Sequence, residues 1–425
     1  MPVRKIYYPA NLDIEKILIE NPPENISSPK SDVCLKLISN IYENYVNNYK
    51  KNEKNSYVNI PSTELRKINR AYNRYLRYLE ERNIIEIIHH YEPGKYCKSY
   101  RIHPHYYSSG IRSLSIDQPS QNWKGYDNLK GTYKILADWF SKISIDWYSA
   151  STELDNLKEN DYDRYIRYYI TLENFQHKNF FFKEDSFGRF HTTLTNAPKV
   201  LRPYLNIGDD SLIITDITST QPLLLTYVLR EFNHNSLGIK SKLFPSAVEK
   251  LKYLSELYSS RPLSDMITYK EALIKGTMYE TIMDLYFKKY DIEISRDVMK
   301  ELVLTYINDK HCSGGSVSRV RDIFKFHFPS INYTLLALKS KSHKTVAHTL
   351  QKIESDLVIN RTCSVIIKQH PEIPLFTIHD CVLTTQSNLD FVRKIFEFEL
   401  TKALGFTPVL SVEKCGSDAS DIDAA

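Results

Sequence analysis

The sequence predicts an α+β protein with an antiparallel sheet under a set of helices, preceded by a smaller module of helices and strands. Three patterns carry this prediction. A continuous apolar, β-branched run ends in an acid at residues 212–216, which is typical of a strand buried on both faces. Two strand-like stretches flank a His-Asp pair within residues 374–384, as in a β-hairpin. Helical spacing follows the first strand at 221–229 and recurs at 295–304.

The length and composition set the scale of the fold. The chain has 425 residues, and 42% of them are hydrophobic. Single cores stop growing below this length, so we expect two or three domains, each with its own core. No apolar run reaches the roughly 18 residues that a membrane span needs. The N-terminus has no continuous apolar segment, so we expect neither a secretory signal nor a membrane partner.

Charge and cysteine content narrow the class of protein further. The net charge is +5 and the pI is about 8.6, which is only weak evidence for binding nucleic acid. The cysteines are scattered, with no C-x-x-C pair and no zinc-ligand spacing. A chain of this length needs no disulfides, so we expect reduced thiols and a cytoplasmic protein. The six cysteines are Cys34, Cys97, Cys312, Cys363, Cys381 and Cys415.

The N-terminal part of the chain predicts two helices and two strands. Pro and Asn are frequent in residues 1–31, where we expect irregular structure. Apolar residues recur at helical spacing over 32–49, and an amphipathic, arginine-rich helix is predicted over 63–82. Strands are predicted over 84–88 and 99–102, with a turn between them.

This order of helix, helix, strand, turn and strand resembles a winged helix-turn-helix module, which we place at residues 32–116. The resemblance implies that the basic helix is a recognition helix and the turn a wing, both binding DNA. A solvated helix face beside a plain hairpin, or a module that binds protein, explains the same pattern, and these interpretations stay open. The DNA-binding candidates are Arg66, Arg70, Arg74 and Lys95.

The rest of the chain divides into three parts. Residues 117–185 are expected to form a helical connector, or a thumb, with helices over 129–147 and 162–176. The segment 186–414 holds the candidate chemistry. The polar tail, 415–425, is expected to be disordered.

Two acids, Asp216 and Asp380, each follow a predicted strand although they lie far apart in sequence. Strand-borne carboxylates can converge on one sheet, and two-metal phosphoryl transfer needs carboxylates that hold ions about 3.5–4 Å apart. Magnesium prefers one or two carboxylates together with substrate phosphates. Arg296 and Lys300 stand at i and i+4 on a predicted helix, where two cations on one face suit a triphosphate.

Each of these elements also has a simpler explanation. An Asp at a strand–helix junction, such as Asp216, is commonly a cap, and Arg296 with Lys300 is commonly a solvated helix face. His379 is equally well explained as a satisfied buried histidine, and Arg189 as a partner in a surface salt bridge. Taken together, the order of the elements favours a metal and nucleotide site.

Residues 188–412, about half of the chain, resemble the palm and fingers of family A DNA polymerases and of their relatives, the single-subunit phage RNA polymerases. Residues 188–196 are similar to the family's Gly-Arg segment, which contacts the primer-template, and residues 216–221 are similar to its motif A. The Arg and Lys of motif B are matched within 296–300, and motif C is matched at 377–380.

The resemblance implies a right-hand polymerase fold, with an antiparallel palm sheet under helical fingers, and it assigns roles to residues. Asp216 and Asp380 would bind two Mg²⁺ ions, for which Mn²⁺ can substitute. Lys300 would join these acids in the catalytic set and, with Arg296, clamp the triphosphate. The residues implied to contact nucleic acid are Arg189, Asn196, Gln351 and His379.

Two departures from the family pattern concern the nucleotide. Asn308 and Asp309 replace the Tyr-Gly that ends motif B, and Tyr306 lies two positions early. Either Tyr306 takes over the family tyrosine's contact with nucleotide or template, or it is a core aromatic. The motif A Glu of DNA polymerases, which excludes the 2′-hydroxyl, is replaced by Gln221, so the choice of sugar stays open. No acid cluster upstream resembles a proofreading exonuclease.

The sequence therefore predicts template-directed nucleotidyl transfer by a DNA polymerase of family A type without proofreading, serving the replication of a mobile element or phage. Its partners would be a DNA primer-template and nucleoside triphosphates. The alternatives are a single-subunit RNA polymerase or primase-polymerase, a template-independent nucleotidyltransferase, and a non-catalytic DNA-binding replication initiator. The length counts against the RNA polymerase, and the retained Asp216, Lys300 and Asp380 count against the initiator.

Overall fold

The computed structural model describes residues 3–47, 57–88, 97–117, 123–234, 238–260, 263–310 and 314–415. Within these ranges the chain is a mixture of helices and strands. It divides into two compact units, each assembled from several stretches of sequence. The N-terminal unit comprises residues 1–126, 140–181 and 192–208, and the C-terminal unit comprises residues 127–139, 182–191 and 209–425.

The bounds of the elements follow in chain order. The strands are β1 (Val3–Pro9), β2 (Val58–Asn59), β3 (Ile85–Ile88), β4 (Ser99–Ile102), β5 (Ile111–Asp117), β6 (Ile143–Ile145), β7 (Phe182–Glu184), β8 (Phe190–Thr192), β9 (Leu205–Ile207), β10 (Asp210–Ile217), β11 (Phe376–Ile378), β12 (Cys381–Thr385) and β13 (Leu410–Lys414). The α-helices are α1 (Ile14–Glu20), α2 (Ser31–Asn47), α3 (Ser62–Ile68), α4 (Tyr72–Glu81), α5 (Pro104–Tyr107), α6 (Gly131–Asp138), α7 (Trp147–Asn160), α8 (Tyr162–Gln176), α9 (Thr220–Glu231), α10 (Pro245–Ser260), α11 (Ser264–Ile274), α12 (Met278–Tyr290), α13 (Arg296–Asn308), α14 (Gly315–His327), α15 (Pro329–Leu338), α16 (Lys344–Ser355), α17 (Ser364–Gln369) and α18 (Leu389–Leu404). A π-helical stretch, Asp356–Cys363, joins α16 to α17.

Three sets of antiparallel strands lie in the N-terminal unit. β1 pairs with β5, β6 pairs with β9, and β2, β4 and β3 form a three-stranded antiparallel sheet in that order. A buried carboxylate, Asp163 on α8, accepts hydrogen bonds from Tyr45 (2.9 Å) and Tyr107 (2.8 Å). These bonds help to satisfy the carboxylate, as a buried polar group requires.

The extreme N-terminus differs from the composition-based expectation of irregular structure. β1 forms there, with Tyr7 fully buried, and it pairs antiparallel with β5 far away in sequence. α1 begins after Asp13, whose side chain accepts the backbone N–H of Lys16. A strand that is stabilised by a distant partner leaves no signal in local Pro and Asn content.

The basic helix predicted over 63–82 is divided into α3 and α4. Asn69 ends α3 in an extended conformation (φ −157°, ψ 136°), and its side-chain oxygen accepts the N–H of Ala71. Asn commonly bonds to the backbone two residues on, in competition with helix continuation. The turn predicted after β3, with Lys95, lies outside the described residues.

The helix predicted over 129–147 is also interrupted. α6 ends at Asp138, a 3₁₀ turn follows at Trp139–Lys142, and β6 then pairs antiparallel with β9. The helix predicted over 162–176 is confirmed as α8, which begins after Asp161, a side-chain cap for the N–H of Arg164. The expected tail lies outside the described residues from 416 onward.

The C-terminal unit is built on an antiparallel sheet with strand order β11-β12-β10-β13. The apolar run 212–214 is buried in β10, as its continuous hydrophobicity predicts. The predicted hairpin is confirmed as β11 and β12, and the helices predicted at 221–229 and 295–304 are confirmed within α9 and α13. Among the described residues, no helix has the length and hydrophobicity to cross a membrane.

Candidate functional site

The sheet of the C-terminal unit brings Asp216 and Asp380 together. Thr215 on β10 pairs with Val382 on β12, so Asp216 follows in register beside Cys381, and Asp380 occupies the turn that begins β12. One ligand atom from each of Asp216, Asp380 and Cys381 lies within 4.8 Å of the others. In the part of the chain that the structure describes, no other group of three such residues lies as close.

Backbone conformation at two positions shapes this cluster. His379, in the turn between β11 and β12, has φ 53°, which is the left-handed region that His tolerates better than most residues. Ser219 has φ 56° and turns the chain directly from β10 into α9. α9 therefore starts close to the acids, and the Thr220 hydroxyl donates a hydrogen bond to the Asp380 carboxylate.

The electrostatics of Asp216 favour a bound cation. Burial, and then the charge of Asp380, raise the pKa of Asp216 to about 6, although a hydrogen bond from the Cys381 thiol acts in the opposite direction. Oδ1 of Asp216 is buried and has no hydrogen-bond partner among the described residues. A buried acid with an unsatisfied oxygen is costly unless it is protonated or coordinates a metal. The donor set therefore fits a divalent metal ion.

Arg189 is held by a buried acid that the sequence analysis missed. Glu354 on α16 accepts two hydrogen bonds from Arg189, at 3.0 Å from Nε and 2.8 Å from Nη2, and only 6% of the Glu354 side chain is exposed. Burial raises the pKa of Glu354 to about 7 and outweighs Arg189, with Asp380 and Asp216 adding to the rise. Its sequence signal is its place three residues after Gln351, on the same helical face.

The turn that carries Arg189 is itself well fixed. Asp185 accepts the backbone N–H groups of Phe187 and Arg189, at 2.8 and 3.0 Å. Gly188 has φ +81°, and its carbonyl accepts the hydroxyl of Tyr133 at 2.8 Å. These contacts aim Arg189 at Glu354 rather than leaving it as a mobile surface side chain.

Two histidines lie near this turn. His191 contacts Asp185 at 2.9 Å, and the rings of His191 and His379 are 6.4 Å apart. The His379 side chain is exposed, so the structure does not support the alternative of a buried histidine. Gln351 is half-buried on α16.

One face of α13 carries the predicted triphosphate-binding residues. Arg296 is exposed, bonds to Glu280 at 2.6 Å and stacks over the ring of Tyr279 at 5.4 Å. Lys300 is exposed and lines an open cavity of about 520 Å³ with other residues of this face. The remaining lining residues are Asp297, Glu301, Leu304, Thr305 and Asn308.

Asn308, which lines this cavity, and Tyr306, on the same helix, have different surroundings. Asn308 donates a hydrogen bond to the side-chain oxygen of Gln221 at 2.8 Å. Tyr306 is only 2% exposed, and its hydroxyl donates to Asn332 at 2.8 Å. This burial corrects the assignment of Tyr306 to nucleotide binding and supports its interpretation as a core aromatic, because a ring packed against Phe324 presents no surface to a ligand.

The other predicted nucleic-acid contacts belong to the N-terminal unit. Arg66 on α3, Arg70 between the helices and Asn196 are exposed. Arg74 on α4 is exposed too, but it donates to the carbonyl of Asn25 at 3.1 Å.

Comparison with known proteins finds matches among solved structures. No protein-family model matches the chain, and no curated protein matches it. One solved structure that it matches is the POL domain of Pol1 from M. smegmatis in complex with DNA primer-template and dNTP, with 13% sequence identity and a TM-score of 0.28. The match covers 63% of this chain and spans 56% of that one.

Proposed function

We propose that the C-terminal unit catalyses metal-dependent nucleotidyl transfer, as a DNA polymerase without proofreading. The observation that carries the proposal is the convergence of Asp216 on β10 with Asp380 in the turn before β12. Asp216 also has a buried oxygen without a partner among the described residues. Two carboxylates on one sheet are what a two-metal phosphoryl-transfer site requires. The structural comparison is too distant to add to this.

The chain's own residues would divide the work of the reaction. Asp216 and Asp380 would hold two magnesium ions, or manganese in their place, with Thr220 orienting Asp380. The bound ions would supply Lewis acidity at the attacking hydroxyl and at the phosphates. Lys300 and Arg296 would bind the triphosphate and offset the charge of the leaving group. To bind the triphosphate, Arg296 must release the carboxylate of Glu280, with which it forms a salt bridge.

Nucleic-acid binding completes the proposal. Gln351 and His379 of the C-terminal unit would contact the primer-template, and Arg189 would do so through Nη1, since its Nε and Nη2 bind Glu354. Asn196 of the N-terminal unit is a separate candidate for contact with nucleic acid. Residues 32–116 would act as a winged helix-turn-helix that binds duplex DNA through Arg66, Arg70, Arg74 and Lys95, with the basic segment 63–82, which spans α3 and α4, as the recognition element. Such a module joined to a polymerase suits the replication of a mobile element or phage from its own origin.

Primer extension tests the proposal. The full-length protein receives a primed DNA template, Mg²⁺ and either dNTPs or rNTPs, beside the variants Asp380→Asn and Asp390→Asn. Asp390 is an exposed acid in the first turn of α18 and is the matched control. We expect template-ordered extension by the wild type and the control, and a loss of at least about a hundredfold in Asp380→Asn.

The other outcomes separate the remaining functions. A preference for rNTPs would indicate an RNA polymerase or primase-polymerase, and extension that ignores the template would indicate a template-independent transferase. If neither nucleotide set is incorporated by the wild type, with or without a primer, catalysis is rejected and the initiator hypothesis is tested through DNA binding by the N-terminal unit's basic residues.

A further inference from the structure

A cysteine thiol stands at the centre of the acid cluster. Cys381 is the first residue of β12, opposite Ile378 on β11, and it directly follows Asp380. Its sulfur lies 4.0 Å from Oδ1 of Asp380, and one ligand atom from each of Cys381, Asp216 and Asp380 lies within 4.8 Å of the others. The side chain is partly exposed, so a solvated ion can reach it.

The other described cysteines lack this setting. Cys34, Cys363 and Cys415 are buried, and Cys97 is partly exposed in the N-terminal unit. None of them belongs to a group of three metal-binding side chains within the described residues. Among the described cysteines, Cys381 is therefore distinctive, because its sulfur lies close to the oxygens of two carboxylates.

The ligand chemistry of this group differs from that of a magnesium site. Magnesium takes oxygen ligands and does not bind thiolate. Zinc binds both Cys sulfur, at about 2.3 Å, and carboxylate oxygen, at about 2.0–2.2 Å. Around one tetrahedral ion such ligand atoms would stand roughly 3.5 Å apart. The observed separations of up to 4.8 Å need only a small closure of the three side chains.

We propose that Cys381 makes this cluster a site for a thiophilic divalent cation of the zinc class, with Asp216 and Asp380 as its other protein ligands. As the sulfur–metal bond forms, the thiol proton leaves to solvent, and the fourth position stays open to water. Occupancy by this ion excludes magnesium from the same carboxylates. Zinc therefore inhibits nucleotidyl transfer, a consequence that rests on the proposed function, whereas zinc binding itself does not.

The first test measures binding without any activity. Full-length protein carries Cys97→Ser and Cys312→Ser, which remove the partly exposed cysteine of the N-terminal unit and the one that lies outside the described residues. It is titrated with Cd²⁺, and the ultraviolet absorption of the cadmium–thiolate bond is recorded. Zn²⁺ affinity is measured by calorimetry. We expect one saturable thiolate signal, which disappears in Cys381→Ser and in Asp216→Asn, with Zn²⁺ affinity reduced at least about tenfold in both.

Two variants are needed because a single substitution can abolish the thiolate signal by unfolding the protein. Circular dichroism shows whether each variant is folded. A thiolate signal that survives Cys381→Ser overturns the assignment of the ligand. A signal that survives Asp216→Asn in the folded protein overturns the shared site, since the sulfur then binds cadmium without the carboxylate.

The second test joins the site to the reaction. Primer extension at fixed Mg²⁺ is measured over a range of Zn²⁺ concentrations. The rate with Zn²⁺ is divided by the rate of the same variant without Zn²⁺. Cys381→Ser should require at least about tenfold more Zn²⁺ for half-inhibition than the wild type, and Cys97→Ser should not. Equal inhibition of Cys381→Ser and wild type overturns the competition. Absent extension with an intact cadmium signal rejects only the proposed function, and extension without that signal rejects only this inference.

Discussion

Two acids of the C-terminal unit, the half-buried Asp216 and the buried Glu354, are stabilised in different ways. Burial raises the pKa of both, to about 6 for Asp216 and about 7 for Glu354. Glu354 is paired with an internal cation through the two hydrogen bonds of Arg189. Asp216 faces a second acid, Asp380, and keeps a buried oxygen without a partner among the described residues.

The difference indicates which acid is built for an external cation. An acid whose counter-charge is part of the fold is satisfied when the chain has folded. An acid that is placed beside another acid gains most from a metal ion that arrives later. This difference can be tested by removing the internal cation of Arg189, the buried carboxyl group of Glu354, or the Thr220 hydroxyl that orients the acid pair.

The largest effect is expected from removing the internal cation. Arg189→Leu leaves Glu354 buried near two other acids, so the free energy of unfolding at pH 7.5 should fall by about 3–5 kcal/mol. Chemical denaturation measures this free energy of unfolding. Arg393→Leu, at an exposed position of α18, is the control and should change stability by less than about 0.5 kcal/mol. Similar losses in the two variants would show that the buried pair has no special role.

A smaller effect is expected from the titration of Glu354. Its pKa is about 7 in the folded protein, against an ordinary value of 4.5 for a solvated glutamate, so folding favours the protonated form. The stabilisation is complete below pH 4.5 and is lost as the pH rises through 7, by up to about 3 kcal/mol. Arg189, Asp216 and Asp380 are the charged groups that set this pKa.

Glu354→Gln removes that titrating group. Between pH 5 and 7.5, the stability of the wild type should fall relative to that of Glu354→Gln by roughly 2 kcal/mol. Denaturation midpoints of both proteins across this range measure the difference. If the stability of the wild type and that of Glu354→Gln change with pH in the same way, the pKa of Glu354 is not raised. The comparison of Glu354 with Asp216 would then be wrong for Glu354.

The smallest effect concerns the orientation of the acid pair. Thr220→Val removes the hydroxyl that donates to Asp380, and a hydrogen bond to a charged group contributes about 1.5–3 kcal/mol. Because groups that hydrogen-bond to a metal ligand also tune it, Mn²⁺ affinity should fall about 10–100-fold. Thr226→Val is the control, since this buried hydroxyl donates to the Leu223 carbonyl in the same helix. Unchanged Mn²⁺ affinity in Thr220→Val would remove Thr220 from the site.

The elements that carry the two acids could be predicted from sequence because local patterns determine them, whereas the meeting of the acids follows from the order of these elements along the chain. Each acid ends or follows an apolar, β-branched run, and strand geometry then limits where it can lie. The hairpin that carries Asp380 and the helix that carries Lys300 show the same dependence on local hydrophobic spacing. These elements are predictable without knowledge of their neighbours.

The missed features depend on contacts that no local pattern records. Arg189 and Glu354 are separated by 165 residues, and only the fold places them together. The break at Asn69 comes from one side-chain hydrogen bond, and the N-terminal strand β1 depends on its pairing with β5. Tyr306 lies on the face of α13 that is turned into the core, and only the packing of its neighbours determines that face.

Direct measurement of Mn²⁺ binding tests the central claim, that Asp216 and Asp380 form the cation site. Electron paramagnetic resonance at pH 7.5 would compare the wild type with Asp216→Asn and Glu354→Gln, which make the same chemical change at the two acids. We predict that the wild type and Glu354→Gln bind Mn²⁺ and that Asp216→Asn binds it at least about tenfold more weakly. Equal binding by all three proteins, or a loss confined to Glu354→Gln, would contradict the account.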